Sequence, residues 1–430
     1  MLRLLLPVSL IWIFPWIFTP WTKASDNSKP SKVQVKKQGK NYQLLVNGAP
    51  YVIKGAGGYK YFNDLKKYGG NSVRLWSTIG AKEYMDKAHE LGLTVTLGLD
   101  LGLERRGFNY NDKKAVAEQL EYMKKEVLKF KDHPALLMWG VGNELDQFAK
   151  NYNVWNAVND LCKYIHEVDP NHPTTTMLAG VPLDHVKEIM KRAPALDVLS
   201  LNAFLDLPNV RGHLNEAGYK GPYMIGEWGA AGYWESTLTP WGAFVEQTST
   251  DKAKMMDEYY QNAISRHPDR CLGSYVFYWG YKQARTHTLL SLYLETGEET
   301  GMIDVMEKHW KGVEPVNKSP LVLPIGIDDQ KTHEGVYLKP GTSHMAYTDC
   351  KDPDNDPLIY KWEIFHESQE KKEGGDKEEK PQAIEGLIID GKGKALSFKA
   401  PEKPGPYRLF LCVYDGNNNV ATANAPFYVK

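Results

Sequence analysis

"HPALLMWGVGNELDQF" occupies residues 133–148, and its reading decides the fold. Ala135 to Trp139 are apolar without interruption, the pattern of a strand covered on both faces rather than one alternating between core and water. The run then breaks into Gly140, Val141, Gly142, Asn143 and Glu144. A buried strand that finishes on an amide and a carboxylate needs a place where its tip reaches a polar cavity while its body stays dry. The open end of a parallel barrel is such a place.

Seven comparable runs lie on either side. They are YVIKGAGG (51–58), SVRLW (72–76), TVTLGLDL (94–101), TTTMLAG (174–180), VLSLNAF (198–204), YMIGEWG (223–229) and LGSYVFYWG (272–280). Between them stand segments with helical spacing, such as AKEYMDKAHELG, KKAVAEQLEYMKKEVLKF and VWNAVNDLCKYIHEV. Asp112 and Thr250 read as helix N-caps. Strand then helix, eight times over, predicts an α/β fold of the (β/α)8 TIM barrel type. A doubly wound sheet would want a glycine-rich phosphate loop after its first strand, and GAGGYKYF (55–62) lacks the spacing.

Outside the barrel the pattern changes. Residues 1–24 combine Arg3, an apolar stretch and a polar exit near Lys23, which predicts a cleaved export signal, a secreted or periplasmic protein, and no stable membrane insertion afterwards. KVQVKK and NYQLLVNGAPYVIKG form a small hairpin leading into the barrel, so the catalytic unit spans 30–312. The proline-punctuated stretch 313–325 reads as a linker. Short strands over 326–430 predict a small all-β immunoglobulin-like sandwich that buttresses the barrel. Within it, the charge run 367–382 reads as a solvated loop. Asp352, Asp354 and Asp356 in DPDNDP form a turn; calcium is the alternative, but the rest of a calcium-loop pattern is missing. Cys350 and Cys412 either pair or stay as buried thiols.

Composition narrows the function. A formal net charge of -1 over 430 residues argues against a nucleic-acid partner. The 12 Trp and 25 Tyr suit sugar-binding grooves, although most aromatics in any protein are core. Barrel chemistry collects at the carboxyl ends of strands. There the fourth run ends on Asn143 and Glu144, the seventh on Glu227, the second near Arg74 and Trp76, the sixth on Asn202 and the eighth on Trp279.

Two glutamates on opposite sides of a barrel mouth suit retaining glycoside hydrolysis, which needs carboxyls roughly 5–5.5 Å apart. Glu144 would be acid and then base, with a raised pKa, and Glu227 the nucleophile. Arg74 would keep Glu227 ionised, Asn143 would hold the sugar 2-hydroxyl, and Trp279 would floor the subsite. Trp76, Asn202, Trp228, Trp234 and Tyr278 join them as candidate sugar contacts. Tyr233, Trp241 and Tyr281 lie on the same loops and either stack on further sugar units or pack the loops. Asp100 and Glu104 read as loop or structural residues, and His89, His133, His166 and His172 as structural. No cofactor or metal is called for, and the partner is a β-linked oligo- or polysaccharide.

These residues carry a family resemblance over about residues 50–310. HPALLMWGVGNE resembles the acid/base strand of the family 2 glycoside hydrolases and their clan A of retaining barrel glycosidases. YMIGEWG is similar to their nucleophile strand, and SVRLW to their second strand with its arginine. The resemblance implies Glu144 as acid/base, Glu227 as nucleophile, and Arg74, Asn143 and Trp279 around them. Two departures stand out. No β-sandwich precedes the barrel, and LNAF offers Phe204 where the clan often has an aromatic hydroxyl bonded to the nucleophile, so that bond is lost or moves to another tyrosine. A barrel followed by an immunoglobulin-like domain is similar to the family 158 endo-β-1,3-glucanases, which implies a β-glucan substrate. A transglycosylase using the same residues and a catalytically dead carbohydrate-binding barrel are the competing readings.

Overall fold

The computed structural model describes residues 29–370, 372 and 375–430. The export signal expected over 1–24 lies outside the described residues. Among them, no helix is long and apolar enough to cross a membrane.

Eight parallel strands close into a barrel: β1 (Ile53–Gly57), β2 (Ser72–Leu75), β3 (Thr94–Leu99), β4 (Leu136–Asn143), β5 (Thr174–Ala179), β6 (Val198–Asn202), β7 (Tyr223–Trp228) and β8 (Cys271–Val276). Neighbours in sequence are neighbours in the sheet, and β8 closes on β1. A helix follows each strand, from Phe62–Lys67 after β1 to Gly301–Lys311 after β8. The eight apolar runs are these eight strands. Asp112 caps its helix by accepting from the backbone of Lys114 and Ala115. Thr250 does not cap the helix Ser249–Tyr259. Thr248 does, because its extended backbone lets the side chain reach Asp251 N. Thr250 instead accepts from Val322 N, a tie to the following domain.

The strands Val33–Gln38, Asn41–Val46 and Ala49–Tyr51 form an antiparallel sheet under the amino-terminal end of the barrel. Val33 and Leu44 pack with Ile53, Leu137, Met224, Leu272 and Tyr275. Val33 N and Tyr42 N donate to Asn171 and Asp269 in the loops at that end. Above this plug the Tyr275 hydroxyl bonds Ser72 and Thr96 inside the barrel.

The carboxyl-terminal region is a β-sandwich. One sheet contains Ile359–His366, Gly405–Tyr414 and Asn419–Val429; the other contains Gly326–Ile327, Ser343–Tyr347, Ala395–Lys399 and Ile388–Asp390. Ile327, Leu396 and Phe398 of one sheet share a core with Ile364, Leu409 and Leu411 of the other. The junction with the barrel is extensive. The short strand Glu299–Thr300 pairs with Asn419 and Val420, and Arg408 donates to Phe244 O. Leu321–Val322, within the stretch read as linker, pairs with Cys350–Lys351. Cys350 and Cys412 are both buried free thiols.

Leu44 is fully buried beneath the barrel. We expect Leu44→Ala to cost about 2–5 kcal/mol, the usual cost of a leucine-sized cavity, read as a lower urea midpoint at unchanged slope.

Candidate active site

Arg74 builds the site. β2 carries Ser72 and Arg74 into the barrel interior, and the guanidinium is 1% exposed. Its Nη1 donates to Glu227 Oε1 at 2.9 Å, to Gly226 O at 2.7 Å and to Asn202 Oδ1 at 3.2 Å. Its Nη2 donates to Asn143 Oδ1 at 2.5 Å. One buried cation thus gathers the tips of β4, β6 and β7. Because a guanidinium only donates, it also fixes which end of each asparagine amide faces it.

Glu144 joins the same network. Asn202 Nδ2 donates to Glu144 Oε1 at 2.9 Å and to Asn143 Oδ1 at 3.2 Å. Adjacent strand residues normally point to opposite faces. Asn143 and Glu144 escape this in two ways. The pairing of β4 with β5 shifts register between Gly140 and Asn143, and Glu144 adopts a left-handed backbone with φ of 50°.

A second register shift, between Ile225 and Glu227 against β6, lets Gly226 and Glu227 both face inward. Gly226 has no room for a side chain: a Cβ there would lie 2.8 Å from Asn202 Oδ1 and 3.3 Å from Arg74 Nη1. The shift also decides Trp228. Its ring is fully buried and packs against Tyr260 on the outer side of the strand, away from Glu227. Trp228 was expected to contact sugar; it is core. Trp279 is a second correction. Its ring lies between Tyr293 and Trp310, and its indole donates to Tyr61 O, so it supports β8 from behind and does not floor the cleft.

Trp76 takes up a task expected of a tyrosine. Its indole Nε1 donates to Glu227 Oε1 at 2.8 Å. Phe204, where an aromatic hydroxyl was expected, packs edge-on against Trp234 and Phe277. Tyr278 stacks on Trp76 with centroids 6.1 Å apart. Trp234, 55% exposed, is the outer member of this aromatic group, with Tyr233 against it. Trp241 instead packs on Tyr337 and Tyr428 of the sandwich.

Burial pushes the Glu227 carboxyl up, to about 7, and nearby Glu144 pushes the same way; Arg74, the Trp76 indole and Lys282 pull it back. Glu227 is 7% exposed, so desolvation falls on it.

Glu104, His133, His166 and His172 have structural partners. Glu104 accepts from Lys150 N and Asn151 N. Asp100 is exposed. His133 and His166 pair with Asp86 and Asp197, and His172 with Asp169. Asp146 was missed: it is buried, accepts from Ala179 N and has its carboxyl pushed up to about 7 by burial. Its place two residues after Glu144 was the available signal.

The charged loop does not float in solvent. Glu378 is buried and pairs with Arg285 of the barrel at 2.6 Å, while Lys282 donates to Gly375 O at 3.0 Å and Arg106 pairs with Asp376. Arg285 in turn lies over the Tyr233 ring at 4.1 Å. Charge density suggested solvation, yet the barrel loops carry the complementary cations.

Together, the closed barrel and the two carboxylates held at the carboxyl ends of β4 and β7 define a class, the (β/α)8 barrels with a two-glutamate site. Within it, residues 59–288 match the TIM barrel domain of glycosyl hydrolases family 2. That match covers more than half of the chain, which belongs to this family.

Among curated proteins, the chain is similar to the β-glucuronidase of Felis catus, with 26% identity over 192 residues, or 40% of this chain and 28% of that one. It is also similar to the β-glucuronidase of Paenibacillus borealis, with 23% identity over 256 residues, or 54% of this chain and 41% of that one. The chain therefore spans well under half the length of these relatives. Among solved structures, a β-D-glucuronidase of Dictyoglomus thermophilum superposes with a TM-score of 0.51 at 20% identity, covering 66% of this chain and 54% of that one. The Ruminococcus gnavus β-glucuronidase gives 0.52 at 14% identity, covering 66% and 53%. These likenesses concern the fold.

Replacing Trp76 by Phe keeps the ring and removes the donor to Glu227. Losing a hydrogen bond to the ionised form raises the carboxyl pKa. We expect kcat/KM to fall about 10- to 100-fold, the worth of one hydrogen bond to a charged group. Its acidic limb should move to higher pH, as a pH–rate profile would read.

Proposed function

We propose that this protein hydrolyses a β-linked glycoside with retention of configuration, with Glu144 as acid/base and Glu227 as nucleophile. The observation that carries the reading is the continuous network from Glu144 through Asn202 and Arg74 to Glu227. Arg74 and Trp76 both donate to Glu227 Oε1, which leaves Oε2 as the attacking oxygen.

Two interacting carboxyls titrate as a pair. The working form holds one proton, on Glu144: burial then remains as the push against ionised Glu227, and Arg74 and Trp76 donate to it and hold it charged. Glu144 then protonates the glycosidic oxygen as its bond to the anomeric carbon breaks and Glu227 Oε2 bonds to that carbon. In the second half, the Glu144 carboxylate takes a proton from water, whose oxygen displaces Glu227. Asn143, with Oδ1 committed to Arg74 and Asn202, turns its Nδ2 to the sugar 2-hydroxyl.

The substrate that fits the barrel-plus-sandwich architecture is a β-glucan, with Tyr278 and Trp234 as stacking faces for successive sugars. A secreted enzyme, as residues 1–24 suggest, would meet such a polymer. A β-glucuronide is the second reading, and Lys282 favours it. Its amine is close enough to Glu227 to lower that carboxyl's pKa, so a sugar carboxylate beside the nucleophile would meet a cation.

Glu227→Ala should abolish turnover, with azide restoring part of it by attack on the exposed anomeric face; wild-type rates without azide would reject the nucleophile assignment. Glu144→Gln should spare aryl glycosides with good leaving groups far more than natural glycans. Because Glu144 is already neutral in the working form, the neutral glutamine should leave the acidic limb in place and remove the alkaline limb. On a panel of β-glucans and nitrophenyl β-glucosides and β-glucuronides, NMR should show β-anomers as first products. A preference for glucuronides that Lys282→Met erases would select the second reading.

A further inference from the structure

The DPDNDP turn is more than a turn. Asp352 Oδ1 accepts from Asp354 N at 2.8 Å and from Asp356 N at 3.0 Å, which curls residue 356 back beside residue 352. Asp354, the middle acid of the motif, points elsewhere and accepts from Lys318 N. Its place is taken by Asp415, far along the chain, directly after the strand Gly405–Tyr414. Oxygens of Asp352, Asp356 and Asp415 all lie within 4.8 Å of one another.

A second observation points to a ligand. Asp352 is nine-tenths buried, and its Oδ2 is buried without a hydrogen-bond partner. A buried carboxylate oxygen left unpaired is costly unless a cation or a metal compensates it. Among the described residues, no lysine, arginine or histidine forms an ion pair with any of the three aspartates. The polar groups that do reach them are amides: Asn417 Nδ2 donates to Asp356 Oδ2 at 2.8 Å and Asn317 Nδ2 to Asp415 Oδ2 at 2.7 Å. Asp415 Oδ1 accepts from the backbone of Asn417 and Asn419.

We propose that Asp352, Asp356 and Asp415 bind a calcium ion that fastens the sandwich to the barrel. The donors are all hard oxygens, with no histidine or thiol to attract a transition metal. They come from two separate loops rather than a rigid cage, which suits the variable coordination of calcium better than the strict octahedron of magnesium. Asn317 and Asn417 become further oxygen ligands if their amides turn over, and water completes the shell. The position gives the ion its consequence. Asn317 lies on the segment joining the two domains, whose next residues donate to Asp354 and to Asp304 of the last barrel helix. Asn418, beyond Asp415, accepts from Glu299 N of the barrel at 2.8 Å.

The test is calorimetric titration of the chelator-treated full chain with calcium chloride, beside thermal melting with calcium or chelator. We expect one calcium per chain, with a Kd of about 10⁻⁴–10⁻³ M or tighter, as for extracellular calcium modules, and a saturable rise in melting temperature that magnesium does not match. Asp356→Asn, at a partly exposed position, should weaken binding at least about tenfold by removing one ligand charge. It should also melt no lower than wild type in chelator but lower in calcium, a crossing that a merely damaged fold would not give. Asp415→Asn should weaken binding likewise, and Asp354→Asn should leave it unchanged. No heat and no shift at about 10 mM calcium, above the range of such sites, would overturn the proposal, as would unchanged affinity in both Asp356→Asn and Asp415→Asn.

Discussion

The guanidinium of Arg74 is the interaction on which the site depends. A cation buried inside a barrel is tolerated only when acceptors surround it. Here those acceptors are an amide from β4, an amide from β6, and a carbonyl and carboxylate from β7. The desolvation cost and the chemical design are therefore one problem with one solution. The groups that neutralise Arg74 are the groups that would meet a sugar, and their orientations are dictated before substrate arrives. Such preorganisation keeps the cost of arranging dipoles out of the reaction step.

This dependence explains the local irregularities around it. Regular strands would send half of these side chains outward. The register shifts in β4 and β7, the left-handed backbone of Glu144 and the bare Gly226 all bring extra polar groups to the interior. Below this level the barrel is sealed. The amino-terminal sheet plugs the opposite end with Leu44 and Val33, so the polar chamber opens in one direction.

Much of this was legible in the sequence, because long apolar runs mark buried parallel strands and polar residues at their ends mark the mouth. The eight strands, Arg74, Asn143, Glu144, Asn202 and Glu227 follow from that logic. What failed did so for identifiable reasons. A register shift is invisible in residue type, so the parity that sends Trp228 outward could not be counted. Trp279 looked like a cleft residue because it ends its run, but its fate depends on Trp310, some thirty residues away. The indole of Trp76 substituting for a phenol at Glu227, Thr248 capping in place of Thr250, and Asp415 replacing Asp354 beside Asp352 are likewise choices that tertiary contact makes among chemically similar groups. The charged loop misled because charge predicts water only when no opposite charge waits across a domain boundary.

That boundary bears on how such a protein can change over evolutionary time. Carbohydrate-active domains are often regarded as beads on a string, free to be shuffled. Here Glu378 of the sandwich grips Arg285, and Arg285 lies on Tyr233 at the edge of the aromatic group near the cleft. A lineage that exchanged its terminal sandwich for another would lose Glu378 and leave Arg285 and Lys282 without their present neighbours. The loops after β7 and β8 would have to be rebuilt in the same step. Barrel and sandwich are thus tied through Glu378 and Arg285, so that a change in the sandwich loop is felt at the edge of the aromatic group while the barrel strands stay as they are.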